Sequence, residues 1–342
     1  MTVKTPWGPI GYFVFKRTYA RRLYDEPNSP TESFEQTIDR VLSAARDQLH
    51  VPDLKDASYY DKSKKRLMLL KGSVAGRFLW QLGTRTVDEL GLMSLQNCAG
   101  VVVNSPIRPF TWTFDALMLG SGVGYNIQLK HVYALPVVQS ATITHKPTKD
   151  ADFIVPDSRE GWVALLHEVL TSHFITGRSF TYSTVLIRGA GELIKGFGGT
   201  ASGPSILVEG MTKISALLNA KAGKKIAPVD ALDIMNIIAS VVVAGNVRRS
   251  AQIALGDSID KNYLYAKRWD LGNIPSYRAM SNNSVVASSV NDLPDYFWEG
   301  YVGNGEPYGL INLPLSRKIG RLGDTRYPDP DVEVYNPLML AA

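Results

Sequence analysis

From Cys98 onward, short β-prone runs alternate with helical segments and glycine-rich turns, and this alternation constrains the fold more than any other feature of the sequence. The predicted strands are 99–103, 123–129, 179–186 and 250–255, and the predicted helices are 157–173, 205–218 and 229–243. Strands that alternate with helices, with glycines at the strand ends, are typical of an α/β fold. Residues 1–90 and 313–342 lack this pattern.

The first 90 residues are predicted to be mainly helical. Ser33 followed by Gln36 indicates a capping box, and apolar residues from Phe34 to Leu49 then recur at helical spacing. A second apolar-periodic segment runs from about residue 67 to 82 and is broken by two glycines. At the other end, prolines interrupt residues 313–342, which predicts loops. We therefore expect a helical region over 1–90, an α/β region over 91–312 and a loop-like region over 313–342.

Composition indicates a globular protein. The chain has 342 residues, of which 45% are hydrophobic and 20% are charged, which allows roughly two domains. The longest apolar run, 234–244, is far shorter than the ~20 residues of a membrane span, and the N-terminus lacks the apolar region of a signal peptide. The single cysteine, Cys98, excludes an intramolecular disulfide and a cysteine-built zinc site. We expect a cytoplasmic protein with no membrane partner and no metal site.

The formal net charge of +5 is compatible with anionic ligands such as nucleotides. The basic residues form only short clusters, which are more often solvated faces than nucleic-acid interfaces. A nucleic-acid-binding protein is therefore the weakest of the functions considered, and we predict no nucleic-acid partner.

Glycine-rich segments are the first candidates for ligand contact. Gly120–Gly124 is either a structural turn or a place where backbone approaches a ligand, and it is not the dinucleotide fingerprint because a strand follows it. Gly196–Pro204 has four glycines with Thr200 and Ser202 ahead of a helix, a setting that binds phosphate or forms a switching loop. It lacks the lysine of a Walker loop.

Two further candidates carry charge or a thiol. Arg248 and Arg249 follow Gly245 on a short loop, where they either contact phosphate or carboxylate groups or point into solvent. Cys98 is either a small buried residue or a reactive thiol. His167 and His173 are six residues apart, which does not place them on one helical face for zinc, so we expect both to be structural.

Seven segments together resemble one family. They occur in the order Gln96-Asn-Cys98, Phe114–Tyr125, Pro156–Trp162, Gly196–Pro204, Val242–Ala251, Ser281–Val285 and Asn312–Ser316. They resemble the N-terminal half of the adenosylcobalamin-dependent, or class II, ribonucleoside-triphosphate reductases. The resemblance implies the first half of a ten-stranded α/β barrel, made of two five-stranded halves with a finger loop threaded through, preceded by the helical N-terminal region.

The resemblance also implies a chemistry. In this family, cobalamin homolysis generates a thiyl radical on a finger-loop cysteine, the radical abstracts the 3′-hydrogen of a ribonucleotide, and two other cysteines reduce the 2′-carbon. An external dithiol such as thioredoxin then regenerates them. Implied for this chain are a ribonucleoside triphosphate substrate, a deoxynucleotide effector and the adenosylcobalamin cofactor, most of whose site would lie in the second half of the reductase.

Site residues follow from the resemblance position by position. Cys98 corresponds to the first reducing cysteine. The other implied residues are Asn336 for catalysis, Asn97, Ser73 and Gly122 for substrate binding, and Arg188, Gly198, Gly199, Thr200, Asn246, Arg248 and Arg249 for the effector and specificity loops.

One departure from the family pattern limits these expectations. The finger loop of the family has Asn-Pro-Cys-x-Glu, whereas here Asn336-Pro337 is followed by Leu338, and the sequence stops at Ala342. We therefore expect a chain that is inactive without the second half of the reductase, which would be its partner. The alternative is a non-catalytic nucleotide-binding fragment that keeps at most an effector site.

Overall fold

The computed structural model describes residues 5–24, 28–192, 201–244, 251–304, 308–335 and 337. The chain divides into two compact units, residues 1–97 and residues 98–342. We call them the N-terminal unit and the sheet unit, and each is described by itself.

The N-terminal unit is helical, as the sequence predicts. Its helices are α1 (Pro9–Val14), which continues as a π-helical turn, α2 (Phe34–Asp47), α3 (Ala57–Met68), α4 (Gly76–Gln81) and α5 (Arg85–Leu90). The predicted capping box is confirmed, because Gln36 N–H donates to Ser33 Oγ and Ser33 N–H donates to Gln36 Oε1. Residues 67–82 form no continuous helix, since Leu70 has a left-handed φ of 53° that ends the helical path after α3.

Helix α2 organises the core of this unit. Apolar side chains on its two sides, among them Ile38 and Val41, pack into separate clusters with residues from the other helices. Beside α2 lies a buried ion pair in which Arg40 Nε donates to Glu32 Oε1 at 2.7 Å. Thr37 Oγ1 and Arg21 N–H also donate to the Glu32 carboxylate, so its buried oxygens are well satisfied.

The sheet unit contains eight strands and eight helices among the described residues. In chain order they are β1 (Cys98–Val102), α6 (Arg108–Met118), β2 (Gly122–Asn126), α7 (Leu129–Val132), β3 (Ile143–His145), β4 (Phe153–Ile154), α8 (Arg159–Thr171), β5 (Phe180–Ser183), α9 (Ser205–Asn219), α10 (Pro228–Ala244), β6 (Gln252–Asp257), α11 (Lys261–Leu264), β7 (Ser281–Val286), α12 (Asp295–Asn304), β8 (Tyr308–Ile311) and α13 (Leu313–Ile319).

Five of these strands form one parallel sheet in the order β1-β2-β6-β7-β8. The predicted strands at 99–103, 123–129 and 250–255 are confirmed as β1, β2 and β6, and the predicted helices at 205–218 and 229–243 are confirmed as α9 and α10. An α/β fold with a parallel sheet is therefore confirmed.

A second, smaller parallel sheet lies between β2 and β6 in the sequence. Its three strands are arranged β3-β5-β4, and the strand predicted at 179–186 is β5, a member of this sheet and not of the larger one. This separate sheet was not predicted from the sequence, because two of its strands have only two or three residues.

The two faces of the five-stranded sheet differ. Cys98 is paired in register with Gly122, and Gly124 with Ile253, so these residues share one face. The opposite face is covered by α6 and α10, and there Gln252 Nε2 donates to the Met235 carbonyl of α10. Helix α10 is buried along most of its length, as expected of a helix that is apolar all round.

Two local predictions are wrong by small margins. The helix predicted from residue 157 begins at Arg159 as α8, because Ser158 is its N-cap and the Ser158 hydroxyl accepts from Gly161 N–H. The region from Leu313 onward is not all loop, since α13 forms there with Pro314 in its first turn. The missing N–H of a proline costs nothing at that position, and Asn312 caps the helix by accepting from Leu315 N–H.

Within the described residues, none of the helices has the length and apolar character that crossing a membrane requires.

Candidate functional site

Cys98 is the first residue of β1, at the edge of the five-stranded sheet. It is half-buried. Its register partner across to β2 is Gly122, which is fully enclosed, so the thiol lies on the same face as that glycine. Parallel strands are spaced about 4.8 Å apart, which places the two residues in direct proximity.

The chain returns to this place near its C-terminus. We call residues 331–335 together with Pro337 the C-terminal segment. Asn126 Nδ2, at the end of β2, donates to the Glu333 carbonyl at 2.6 Å. At the start of β2, a Cβ atom built on Gly122 would lie 3.3 Å from Pro337 Cγ. The C-terminal segment therefore runs along β2 in the opposite direction, from its end to its beginning.

The Gly120–Gly124 turn also contacts other parts of the chain. Gly120 has a φ of 82°, which a side chain disfavours, so the turn itself needs glycine. What approaches Gly122 in the described structure is Pro337 and the Ala251 carbonyl, both from the same chain. The close backbone approach is thus made at least in part by the protein itself.

Apolar packing supports the same placement of the C-terminal segment. Ile253, Leu255, Ile311 and Leu313 form a buried cluster at the sheet, against which Val332, Val334 and Tyr335 pack. Tyr335 also donates a hydrogen bond to the Ser316 hydroxyl of α13. The segment is therefore held by side chains as well as by its backbone.

The Glu333 carboxylate is surrounded by three basic side chains. Arg317 Nη2 donates to it at 2.6 Å, Lys130 Nζ at 3.1 Å, and His131 Nε2 lies 3.3 Å away. Burial alone would raise the pKa of Glu333, but the neighbouring Lys130, Arg317 and His131 hold this pKa below its usual value. Burial and the charge of Lys130 lower the pKa of His131. The carboxylate is therefore ionised at neutral pH.

Two predicted substrate residues belong to the N-terminal unit. Asn97 is exposed and directly precedes Cys98 in the chain. Ser73 lies in an exposed turn between α3 and α4, where its hydroxyl donates to the Val74 carbonyl. The proposed roles of Asn97 and Ser73 in substrate binding remain predictions.

Arg188 was predicted to contact an effector phosphate, and the structure places it in an ion pair. Its Nε donates to Asp157 Oδ2 at 2.8 Å, with both side chains partly exposed. The Asp157 carboxylate therefore orients the Arg188 guanidinium. Six other predicted site residues, and the catalytic candidate Asn336, lie outside the described residues: Gly198, Gly199, Thr200, Asn246, Arg248 and Arg249.

The two predicted effector loops nevertheless have described boundaries. The loop 193–204 ends where α9 begins, and the loop after Ala244 starts where α10 ends. Between these helices lies a cavity of about 300 Å³. It is bordered by residues of α9, α10 and the turn before β7, including Ile206, Lys213, Ala244 and Tyr277. The cavity therefore lies beside the first turn of α9 and the last turn of α10.

Two observations on the described residues concern metal and cofactor binding. In that part of the chain no three His, Cys, Asp or Glu side chains are grouped to hold a metal ion. His173 is buried, with its two ring nitrogens near the Gln139 carbonyl and the Ser215 hydroxyl, as expected of a structural histidine. A 300 Å³ cavity is at the lower limit for drug-sized ligands and too small for a corrin ring.

Comparisons with known proteins agree with the resemblance. Residues 130–218 match the family described as B12-dependent ribonucleotide reductase, insertion domain, and this range contains the three-stranded sheet. The adenosylcobalamin-dependent ribonucleoside-triphosphate reductase of Lacticaseibacillus paracasei is 34% identical over 98% of this chain and 52% of its own length. The protein of the same name from Lactobacillus leichmannii is 34% identical over 98% of this chain and 53% of its own.

A solved structure gives the same result for the fold. The crystal structure of a B12-dependent (class II) ribonucleotide reductase superimposes with a TM-score of 0.80 and 30% identity, covering 98% of this chain and 54% of that one. The fold of this chain therefore matches part of the fold of a B12-dependent ribonucleotide reductase. The chain is a homologue of the adenosylcobalamin-dependent ribonucleoside-triphosphate reductases, and it spans about half the length of the curated relatives that it matches.

Proposed function

We propose that this chain forms the cysteine-bearing first half of an adenosylcobalamin-dependent reductase that converts ribonucleoside triphosphates to deoxyribonucleotides. The observation that carries the proposal is the approach of Pro337 to Gly122, the register partner of Cys98. In the family, the residue after this proline is the radical cysteine. A segment that ends beside Cys98 is therefore suited to bring a radical thiol and a reducing thiol to one substrate.

The proposed role of Cys98 is that of a reductant. Replacing the 2′-hydroxyl by hydrogen takes two electrons and two protons, releases water and leaves two thiols joined as a disulfide, which an external dithiol such as thioredoxin then reduces. Cys98 supplies one of these thiols. Because the 342 residues contain one cysteine and Leu338 occupies the radical position, this polypeptide assayed by itself is expected to be inactive.

The proposal also covers the barrel, the finger loop and the cofactor of the whole enzyme. The five parallel strands are proposed as half of the ten-stranded barrel, with residues 313–342 as the approach to the finger loop, and the second half as the partner that completes the sheet. Adenosylcobalamin is proposed as the cofactor of the whole enzyme, in the cytoplasm.

A deoxynucleotide effector is proposed to bind at the cavity between α9 and α10. Arg188 would contact the effector phosphate, and the loops carrying Gly198, Gly199, Thr200, Asn246, Arg248 and Arg249 would link the effector to the substrate. A single-chain effector site without catalysis is the second candidate function, favoured by the same cavity.

A chimera distinguishes these two functions. Residues 1–337 are joined to the part of the Lactobacillus leichmannii reductase that begins at its corresponding finger-loop cysteine. We expect deoxynucleotide formation that needs adenosylcobalamin and a dithiol, and its loss in Cys98→Ser, because one remaining thiol cannot form the disulfide. A Cys98→Ser chimera with full multiple-turnover activity would overturn the assignment. A folded chimera that binds deoxynucleoside triphosphate without turnover would favour the non-catalytic alternative.

A further inference from the structure

We infer that Glu333 is a positioning residue, whose contacts with Arg317, Lys130 and His131 fix the register of the C-terminal segment along β2 and thereby place residue 337 beside Cys98. The catalytic meaning of this register rests on the proposed function. The register itself concerns only this chain and can be measured without substrate or cofactor.

Both the side chain and the backbone of Glu333 make hydrogen bonds with other parts of the chain. Its carboxylate is bound from two separate elements, by Arg317 of α13 and by Lys130 and His131 of α7. Its carbonyl accepts from Asn126 Nδ2 at 2.6 Å, and the preceding carbonyl, of Val332, accepts from Arg317 Nε at 2.9 Å. Side chain and backbone are therefore fixed at the same place.

The anchor at Glu333 lies four residues before Pro337 and so influences where Pro337 lies along β2. Glu333 lies at Asn126 and Pro337 lies at Gly122, so four residues of the segment span the same length as four residues of β2. The segment thus touches β2 at two described points, with Glu333 at the end of the strand and Pro337 at its beginning. A slip by one residue would move residue 337 by about 3.3 Å along the sheet and turn its neighbours to the other side.

Packing against the sheet defines the register of the C-terminal segment less strictly than the ionic contacts of Glu333 do. Beyond Glu333 the segment crosses Gly100 and Gly122, positions that present no side chain. Glycines allow a close approach, but a surface of glycines offers few features that distinguish one register from the next. The charged anchor at Glu333 supplies the distinction, since a slip by one residue would bring Val332 or Val334, and no carboxylate, to Arg317, Lys130 and His131.

A stability measurement alone cannot test this role, because partly exposed ion pairs add little to stability. The readout is the effective concentration of two thiols. Pro337→Cys is introduced into the full chain, where Cys98 is the sole native cysteine, and disulfide formation is measured at equilibrium in glutathione buffers. We expect an intramolecular disulfide in this background, because residue 337 lies over the partner of Cys98.

Glu333→Gln in the same background should lower the effective concentration about tenfold or more, and Arg317→Gln should lower it in the same direction. The matched control is Asp324→Asn. Asp324 is 30% exposed, like Glu333 at 31%, and pairs with Arg326 in the same region of the chain but away from β2. Asp324→Asn should leave the disulfide equilibrium unchanged, and far-UV circular dichroism should show all variants folded.

Three results would overturn the inference: no disulfide in the Pro337→Cys background, no change in folded Glu333→Gln, or an equal fall in Asp324→Asn. None of these results depends on turnover. A failed chimera in the activity assay would therefore count against the proposed function, and a failed thiol assay against the register.

Discussion

A Cβ atom on Gly100 would lie 2.6 Å from Cγ1 of Val334. Carbon atoms in van der Waals contact are about 3.5–4.0 Å apart, so no side chain fits between β1 and the C-terminal segment. The C-terminal segment can therefore pass this close to β1 only because residue 100 has no side chain.

Gly100→Ala should displace the C-terminal segment. Overpacking of this kind costs about 1–3 kcal/mol when the neighbour cannot move, and less when it can. We expect faster limited proteolysis within residues 331–337, and at most a small loss in the urea midpoint of the sheet unit. Gly72→Ala is the control, since nothing lies within 4 Å of a Cβ atom there. Equal proteolysis of both variants would contradict the contact.

Arg278→Met should destabilise the sheet unit strongly. Arg278 binds Asp233 of α10 through two hydrogen bonds of 2.7 and 2.8 Å, and both side chains are largely buried. Burial raises the pKa of Asp233 even with Arg278 beside it. Removing one partner of a buried pair costs about 3–5 kcal/mol, which urea unfolding measures. Lys213→Met, which breaks the exposed pair with Glu209, should cost less than about 1 kcal/mol. Similar losses of unfolding free energy in the two variants would contradict a larger contribution from the buried Arg278–Asp233 pair.

Glu32 should make the stability of the N-terminal unit depend on acid pH. Burial would raise the pKa of Glu32, but the hydrogen bonds and charge of Arg40, with Arg21 and Thr37, bring it below the usual value. Because the pKa is lower in the folded state, the stabilisation is complete above the unfolded value of about 4.3 and is lost as the pH falls through the folded value.

Urea unfolding from pH 7 to pH 3 measures this dependence. We expect Glu32→Gln to be less stable at pH 7, by about 1.5–3 kcal/mol for hydrogen bonds to a charged group, and to lose less stability in acid than the unchanged protein. Asp88→Asn is the control, because Asp88 is an exposed residue of the same unit. A parallel acid dependence of the Glu32→Gln variant and the unchanged protein would rule out this carboxylate as the source.

Arg188→Gln should weaken binding of a deoxynucleoside triphosphate to the chain, if the proposed effector site is correct. A charge-assisted hydrogen bond is worth about 1.5–3 kcal/mol, or roughly ten- to a hundredfold in the dissociation constant from calorimetry. Asp157→Asn, which removes the competing carboxylate, should strengthen binding or leave it unchanged. Arg326→Gln serves as the distant control. Weaker binding in Asp157→Asn would mean that the ion pair itself, and not Arg188 alone, forms the site.

Local signals in the sequence predicted much of the fold. The Ser33–Gln36 capping box, β1, β2, β6, α9 and α10 all follow from patterns that lie within one element. Errors occurred where neighbouring residues compete for one role: Ser158 caps α8, while Asp157 binds Arg188. Strands β3 and β4 were missed because two or three residues are too few for an alternation to appear.

The candidate site was predictable only in part. Cys98 and Gly122 were found through their motifs, whereas their pairing in register needed the structure. Glu333 was missed altogether, because its partners Lys130 and His131 lie some two hundred positions earlier in the chain and belong to no motif. Nothing in the local sequence marks a residue whose role arises from a distant contact.

The insertion of the three-stranded sheet between β2 and β6 has a consequence for folding kinetics. These two strands are neighbours in the sheet, yet residues 127–251 separate them, so their pairing must close a long loop before it gains any contact. Such non-local pairing is slow, and compacting the intervening residues first shortens the search. We expect residues 130–218 to reach protected structure early in hydrogen-exchange refolding experiments, with the pairing of β2 to β6 as the late step.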